Sequence, residues 1–212
     1  MGIRIIIADD HKIVRDGLRG LIGTQNDMEV IGEADNGMAA VKLASKVSPD
    51  IVIMDVSMPD LNGIEATRKI KSAVPNANII ALSMHSDRRF VLAMLEAGVK
   101  GYVIKDSAFA ELAGAIRAVS ANKSYLSPAI TDIVVNAYAR GEEVKGSALS
   151  NREREILQLL AEGRSVKKIS ELIHISIKTV ETHRRNIMMK LDLKNSADLI
   201  RYALKEGFST IE

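Results

Sequence analysis

Cysteine is absent from the 212 residues, so the chain has no disulfide framework, no thiolate metal site and no cysteine nucleophile. Tryptophan is absent as well, and aromatics reach only 3%. An aromatic-lined cavity for an apolar effector therefore has little to be built from. No apolar run approaches the roughly 20 residues that cross a bilayer, and Met1 to Arg4 leads into a strand-like run without a signal-peptide pattern. No phosphate loop of the form G-x-x-x-x-G-K-S/T occurs. These absences point to a cytoplasmic protein with no membrane partner. A strong charge of one sign is missing too. Residues 1–147 carry 17 Lys+Arg against 18 Asp+Glu, and residues 148–212 carry 12 against 9. The basic tilt of the tail is compatible with nucleic-acid binding without establishing it.

What is present is an alternation of two periodicities. Strand-like runs at Ile3–Ala8, Met28–Glu33, Ile51–Met54, Ile79–Ser83 and Tyr102–Ile104 alternate with helical patterns from Lys12 to Ser120. Three of the runs are nearly continuous Ile, Val and Leu, as strands buried on both faces require. Five such repeats predict an α/β, doubly wound, five-stranded parallel sheet with right-handed crossovers over residues 1–121. Residues 122–147 read as a linker with a short helix opened by Pro128, and Gly141 to Gly146 carries no period. Residues 148–212 read as an all-α four-helix domain. Ser150 and Glu153 form a capping box before its first helix.

Asp9 and Asp10 end one apolar run, Asp55 ends another and Lys105 follows a third. In a doubly wound sheet the carboxyl ends of the strands meet in one crevice. Mg²⁺ is suited by one or two carboxylates plus phosphate and water, so Asp10 and Asp55 predict ligands, with Asp9 acting through water. A carboxylate can also accept a phosphoryl group as an acyl phosphate, and Asp55 stands alone before the turn Met58-Pro59-Asp60-Leu61-Asn62-Gly63. Lys105 serves there as a point charge on phosphate. Strand-end aspartates also cap helices, and a lone lysine is usually solvated; the joint placement of all four carries the specificity. Neither His11 nor His85 receives a catalytic role.

These residues, with Ser83 ending the fourth run and Tyr102 beginning the fifth, resemble the receiver domain of two-component response regulators. The resemblance implies a flavodoxin-like fold with Asp55 as phosphoacceptor. It adds the backbone carbonyl of Ser57 to the Mg²⁺ ligands Asp10 and Asp55, and leaves Asp9 to complete the pocket. It also implies that Ser83 bonds a phosphoryl oxygen and that Tyr102 follows it inward as a switch.

In the tail, the third helix presents Ile177, Val180, Ile187 and Leu191 on one side. Lys178, Thr179, Glu181, Thr182, Arg185 and Lys190 lie on the other. A supporting helix, a short turn and such a helix make a helix-turn-helix layout, and the charged side is free to enter a major groove. Leu149-Ser150-Asn151-Arg152-Glu153-Arg154-Glu155 and Ser176-Ile177-Lys178-Thr179-Val180-Glu181-Thr182-His183 resemble the LuxR-type helix-turn-helix. With the receiver, they resemble the NarL/FixJ subfamily. That resemblance implies base contacts from Glu181, Thr182 and Arg185, phosphate contacts from Lys178, Thr179 and Lys190, and a His183 partly packed inside. Asp192 stands where the family usually has glycine, which predicts a strained but intact turn. Val166 replaces a commonly polar residue, which puts a local cap or phosphate contact in doubt.

The implied function is a phosphorylation-controlled transcription regulator, not an enzyme beyond self-phosphorylation and self-dephosphorylation. Its expected partners are a sensor histidine kinase, promoter DNA with paired half-sites and, on activation, a second copy of itself. The expected inactive form packs the receiver against the third tail helix. Three other classes compete. An aspartyl phosphatase or phosphotransferase lacks its second acid, because position 57 is Ser. A ligand-sensing regulator lacks aromatics. A receiver whose tail binds protein is separable by a gel shift.

Overall fold

The Ile-rich runs become the interior of one parallel sheet. The computed structural model describes residues 2–84, 86–140 and 148–208, so His85 and the segment Gly141 to Gly146 lie outside the described residues. The strands are β1 (Ile3–Ala8), β2 (Met28–Ala34), β3 (Ile51–Asp55), β4 (Asn78–Ser83), β5 (Gly101–Ile104) and β6 (Tyr125–Leu126). They pair in parallel in the order β2-β1-β3-β4-β5-β6. Successive side chains on a strand point to opposite faces, which divides the core in two. Ile5, Ile7, Ile51 and Ile53 pack against α1 (Lys12–Gly23) and α5 (Ala108–Ser120), while Ile6, Val52 and Met54 face α2 (Gly37–Val47), α3 (Gly63–Ala73) and α4 (Arg88–Ala97). Both surfaces of β1 and β3 are thereby sealed, which is why their runs read as continuously apolar.

The sheet has six strands where the periodicity predicted five. Tyr125 and Leu126 extend it within what reads as linker, and the receiver sheet therefore continues beyond residue 121. The Tyr125 amide donates to the Lys100 carbonyl at 3.0 Å, and Ser127 donates to that of Tyr102 at 3.0 Å. A two-residue strand is too short to carry a readable period. Ser127 then leads into α6 (Pro128–Ala139), which has proline in its first turn as expected.

Sheet order reverses between β1 and β3, the topological switch point of an open α/β sheet. Two glycines let the neighbouring loops close over it. A Cβ on Gly63 would stand 1.9 Å from the Asp55 carbonyl oxygen, and one on Gly37 would stand 2.1 Å from that of Leu61.

The tail forms α7 (Asn151–Ala161), α8 (Val166–Leu172), α9 (Ile177–Lys190) and α10 (Ser196–Lys205) around Ile156, Leu159, Ile169, Val180, Ile187 and Leu199. The Ser150–Glu153 capping box is complete. Val166 costs α8 no cap, because the Ser165 hydroxyl accepts the Lys168 amide at 3.2 Å. Asp192 follows α9 at φ 51°, the left-handed conformation that Asp tolerates better than most side chains.

Candidate functional site

Three strand ends deliver the acids and the lysine to one point. Asp9 is fully buried, and Asp55 is nearly so. The Lys105 ammonium lies 2.8 Å from Asp9 Oδ2 and 3.0 Å from Asp55 Oδ2. Burial is the largest influence on Asp55 and raises its pKa from 3.8 to about 6, with Asp9 adding to the rise and Lys105 opposing it. Burial also works against the Lys105 ammonium, but Asp55 and Asp9 outweigh it and hold its pKa above the ordinary lysine value. Asp9 is committed to the chain, since Oδ1 accepts the His11 amide at 2.9 Å and the Arg15 guanidinium holds its carbonyl at 2.6 Å. Asp10, Asp55, Ser57 and Lys105 instead border an open cavity.

Oxygen ligands for a hard cation are therefore in place. Carboxylate oxygens of Asp9, Asp10 and Asp55, with a ring nitrogen of His11, lie within 4.8 Å of one another. Asp10 Oδ1 is buried and receives no hydrogen bond from the described residues, although His11 Nδ1 stands 2.9 Å away. An orphaned carboxylate oxygen beside two further carboxylates fits a dication, which would remove their mutual repulsion. His11, given no role from sequence, belongs to this cluster. Three titratable residues in succession at one strand end were its signal.

Ser83 and Tyr102 are joined inside the sheet. Tyr102 is fully buried, and its hydroxyl is hydrogen-bonded to Ser83. Burial lifts the phenol to about 12, so it stays neutral. Tyr102 points inward, covered on its outer side by β6.

On α9 the predicted DNA-facing residues Lys178, Thr179, Glu181, Thr182 and Arg185 are exposed. Lys190 is exposed but engaged: its ammonium lies 2.7 Å from Glu153 and ties α9 to the capping box of α7. His183 is half-buried with Nδ1 in the interior, as expected. Val180 and Ile187 are buried, whereas Ile177 is 47% exposed. The first residue of α9 precedes the turn that packs and so escapes the core.

The receiver meets the tail through α7 and α10, and the charged side of α9 stays uncovered, which corrects the expected packing. Gln158 of α7 accepts the Asn62 amide at 2.8 Å through Oε1 and donates to the Met58 carbonyl at 3.0 Å through Nε2. It thus grips both ends of the turn that follows Asp55. Arg154 pairs with buried Glu65 at 2.6 Å, Lys69 with Glu155 at 3.0 Å, and Arg164 with Asp60 at 2.9 Å. Gln158 reads from sequence as one more polar residue of an amphipathic helix.

Comparison with known proteins agrees with this geometry. Residues 5–117 match the response regulator receiver domain, and residues 147–203 match the bacterial regulatory proteins of the luxR family. The oxygen regulatory protein NreC of Staphylococcus carnosus is 38% identical over 212 residues, covering 96% of this chain and 98% of that one. NreC of Staphylococcus epidermidis is 39% identical over 213 residues, with the same coverage. Among solved structures, RcsB from Salmonella enterica serovar Typhimurium, bound to a promoter in the presence of a phosphomimetic, is 30% identical. It covers 95% of this chain and 98% of its own, with a TM-score of 0.63. A LuxR-family two-component response regulator from Aurantimonas is 40% identical over 66% of this chain and 99% of that one, with a TM-score of 0.63.

Proposed function

Because the chain belongs to the NarL/FixJ-type response regulators, a receiver joined to a LuxR-family helix-turn-helix, we propose that Asp55 takes a phosphoryl group from a sensor histidine kinase and thereby controls promoter binding. The protein is a phosphorylation-controlled transcription regulator, not a classical enzyme. The observation that carries the assignment to Asp55 is the Lys105 ammonium bridging Asp9 and Asp55 beside the uncommitted carboxylate of Asp10.

Each residue has a role in that transfer. Asp55 supplies the attacking oxygen. Lys105 neutralises charge on the phosphoryl oxygens without moving far, since phosphoryl transfer needs mainly positioning and electrostatics. Asp10, Asp55 and the Ser57 carbonyl would hold Mg²⁺, with Asp9 acting through water, and the ion when bound would supply charge neutralisation at the phosphoryl oxygens. Ser83 then exchanges its bond to Tyr102 for one to the phosphoryl group, and Tyr102 resettles in the core.

Domain roles follow: residues 1–121, with β6 added to their sheet, receive the signal, the rest of 122–147 links, and 148–212 bind DNA. Glu181, Thr182 and Arg185 face bases, and Lys178, Thr179 and Lys190 approach phosphates. A two-fold dimer reads two half-sites about one helical turn apart. Among the described residues no helix is long and apolar enough to cross a membrane, and the reading places the protein in the cytoplasm with its DNA. The direct test is labelling with radioactive acetyl phosphate and Mg²⁺: the native chain is labelled and Asp55→Asn is not. Equal labelling of the two would remove Asp55 from this role.

A further inference from the structure

The crevice opens beneath the tail. One cavity of about 720 Å³ has Asp10, His11, Asp55 and Lys105 on one wall, and Glu162, Arg164, Ile200, Leu204 and Phe208 of the tail on the other. The DNA-binding domain is therefore a roof over the phosphoacceptor. The roof is fastened by Gln158, which holds both ends of the Met58–Asn62 turn, and by the Lys69–Glu155 and Arg154–Glu65 pairs along α3 and α7.

The tail wall of the cavity discriminates between donors. Its volume lies in the range that accommodates small organic molecules, roughly 300–1,000 Å³. A phosphohistidine carried on a helical domain must bring a helix roughly 11 Å across up to the rim of that cavity, where Ile200 and Leu204 of α10 and Phe208 stand, so the protein donor meets the tail where a small molecule does not. The chemistry at Asp55 is the same for either donor. An Asp55 oxygen forms a bond to phosphorus as the donor's bond breaks. Acetyl phosphate leaves as acetate; phosphohistidine loses its N–P bond and leaves as imidazole.

Resting on the assignment of Asp55 above, we infer that the roof selects the donor class. The closed chain accepts small acyl phosphates, whereas a kinase phosphohistidine reaches only the opened chain, and Gln158 and Lys69 set that selectivity as positioning residues. Reactivity toward the protein donor then scales with the open fraction, as for any partner that uses only a minor conformer.

Two variants weaken the roof by different means, and neither alters Asp9, Asp10, Asp55 or Lys105. Gln158→Ala removes the grip on the turn, and Lys69→Glu sets a like charge against Glu155. Each is compared with the native full-length chain using two donors: acetyl phosphate with Mg²⁺, and an autophosphorylated sensor-kinase domain chosen because it labels Gln158→Ala. Transfer from the kinase domain rises by about tenfold in both variants, tracking the larger open fraction, while labelling by acetyl phosphate changes by less than about twofold. Equal gains with both donors, or no gain in either variant, would overturn the inference while leaving Asp55 as the acceptor. Unchanged acetyl phosphate labelling in Asp55→Asn would instead sink the assignment on which it rests.

Discussion

Asp55 is held in conflict with its surroundings, and the conflict is measurable. The fold raises its pKa from 3.8 to about 6, chiefly by burial. An acid whose folded pKa is raised stabilises the fold while protonated, and that stability is lost as pH rises through the folded value. Above about pH 6 the native chain must carry the buried charge; near pH 4 it need not. In EDTA, Asp55→Asn is therefore expected to match the native chain in denaturant unfolding at pH 4. At pH 7–8 it should exceed the native chain by up to about 3 kcal/mol, from 1.36 kcal/mol per pKa unit. Mg²⁺ should narrow the gap, because a dication favours the ionised carboxylate. A difference that stayed constant from pH 4 to 8 would show that Asp55 is not under this strain. Asp55, Asp10 and Lys105 were legible in the sequence because each ends an apolar run, and strand ends converge in this fold. His11 and Gln158 were not. Nothing in a linear pattern shows that an amide on α7 meets a carbonyl 100 residues away.

At the scale of elements, the apolar runs specified nearly everything. Strands sealed on both faces have few alternatives, and caps such as Ser150, Ser165 and Ser176 sit where side-chain oxygens satisfy free amides. The element that escaped detection was β6, whose two residues depend on the edge of β5 and not on a period of their own. The tightest dependence is the approach of α3 to β3. Gly63 lets the first turn of α3 touch the Asp55 backbone, and a methyl group there would lie 1.9 Å from a carbonyl oxygen. Backbone cannot yield as a flexible side chain does, so Gly63→Ala should cost about 3 kcal/mol or more, at the upper end of overpacking effects. It should also slow acetyl phosphate labelling, because the displaced carbonyl belongs to the acceptor residue itself. Thermal unfolding within about 1 kcal/mol of the native chain, a typical single-substitution effect, would show that the contact is softer than its geometry.

At the scale of the molecule, the arrangement of the two domains was not legible, since it rests on isolated polar pairs and not on a shared apolar stripe. It changes what phosphorylation has to accomplish. The charged face of α9 is open to solvent while the roof is closed, so in this arrangement phosphorylation has no cover to lift from that face. On the function proposed above, control is expected in whether two copies can set their α9 helices one helical turn apart, because half-site spacing is fixed by DNA geometry. A tail fastened to its receiver through Gln158 and Arg154 has its orientation dictated by the receiver; an unfastened tail does not. Single half-site DNA should therefore bind phosphorylated and unphosphorylated chains with affinities within about twofold, both weakening with salt as phosphate contacts require. DNA with two properly spaced half-sites should bind the phosphorylated chain at least about tenfold tighter, the gain that linking two binding events supplies. Inserting five base pairs between the half-sites, about half a helical turn, should erase that gain in a gel shift. Phosphorylation that tightened single half-site binding as much as paired-site binding would return the controlling step to exposure of α9 itself.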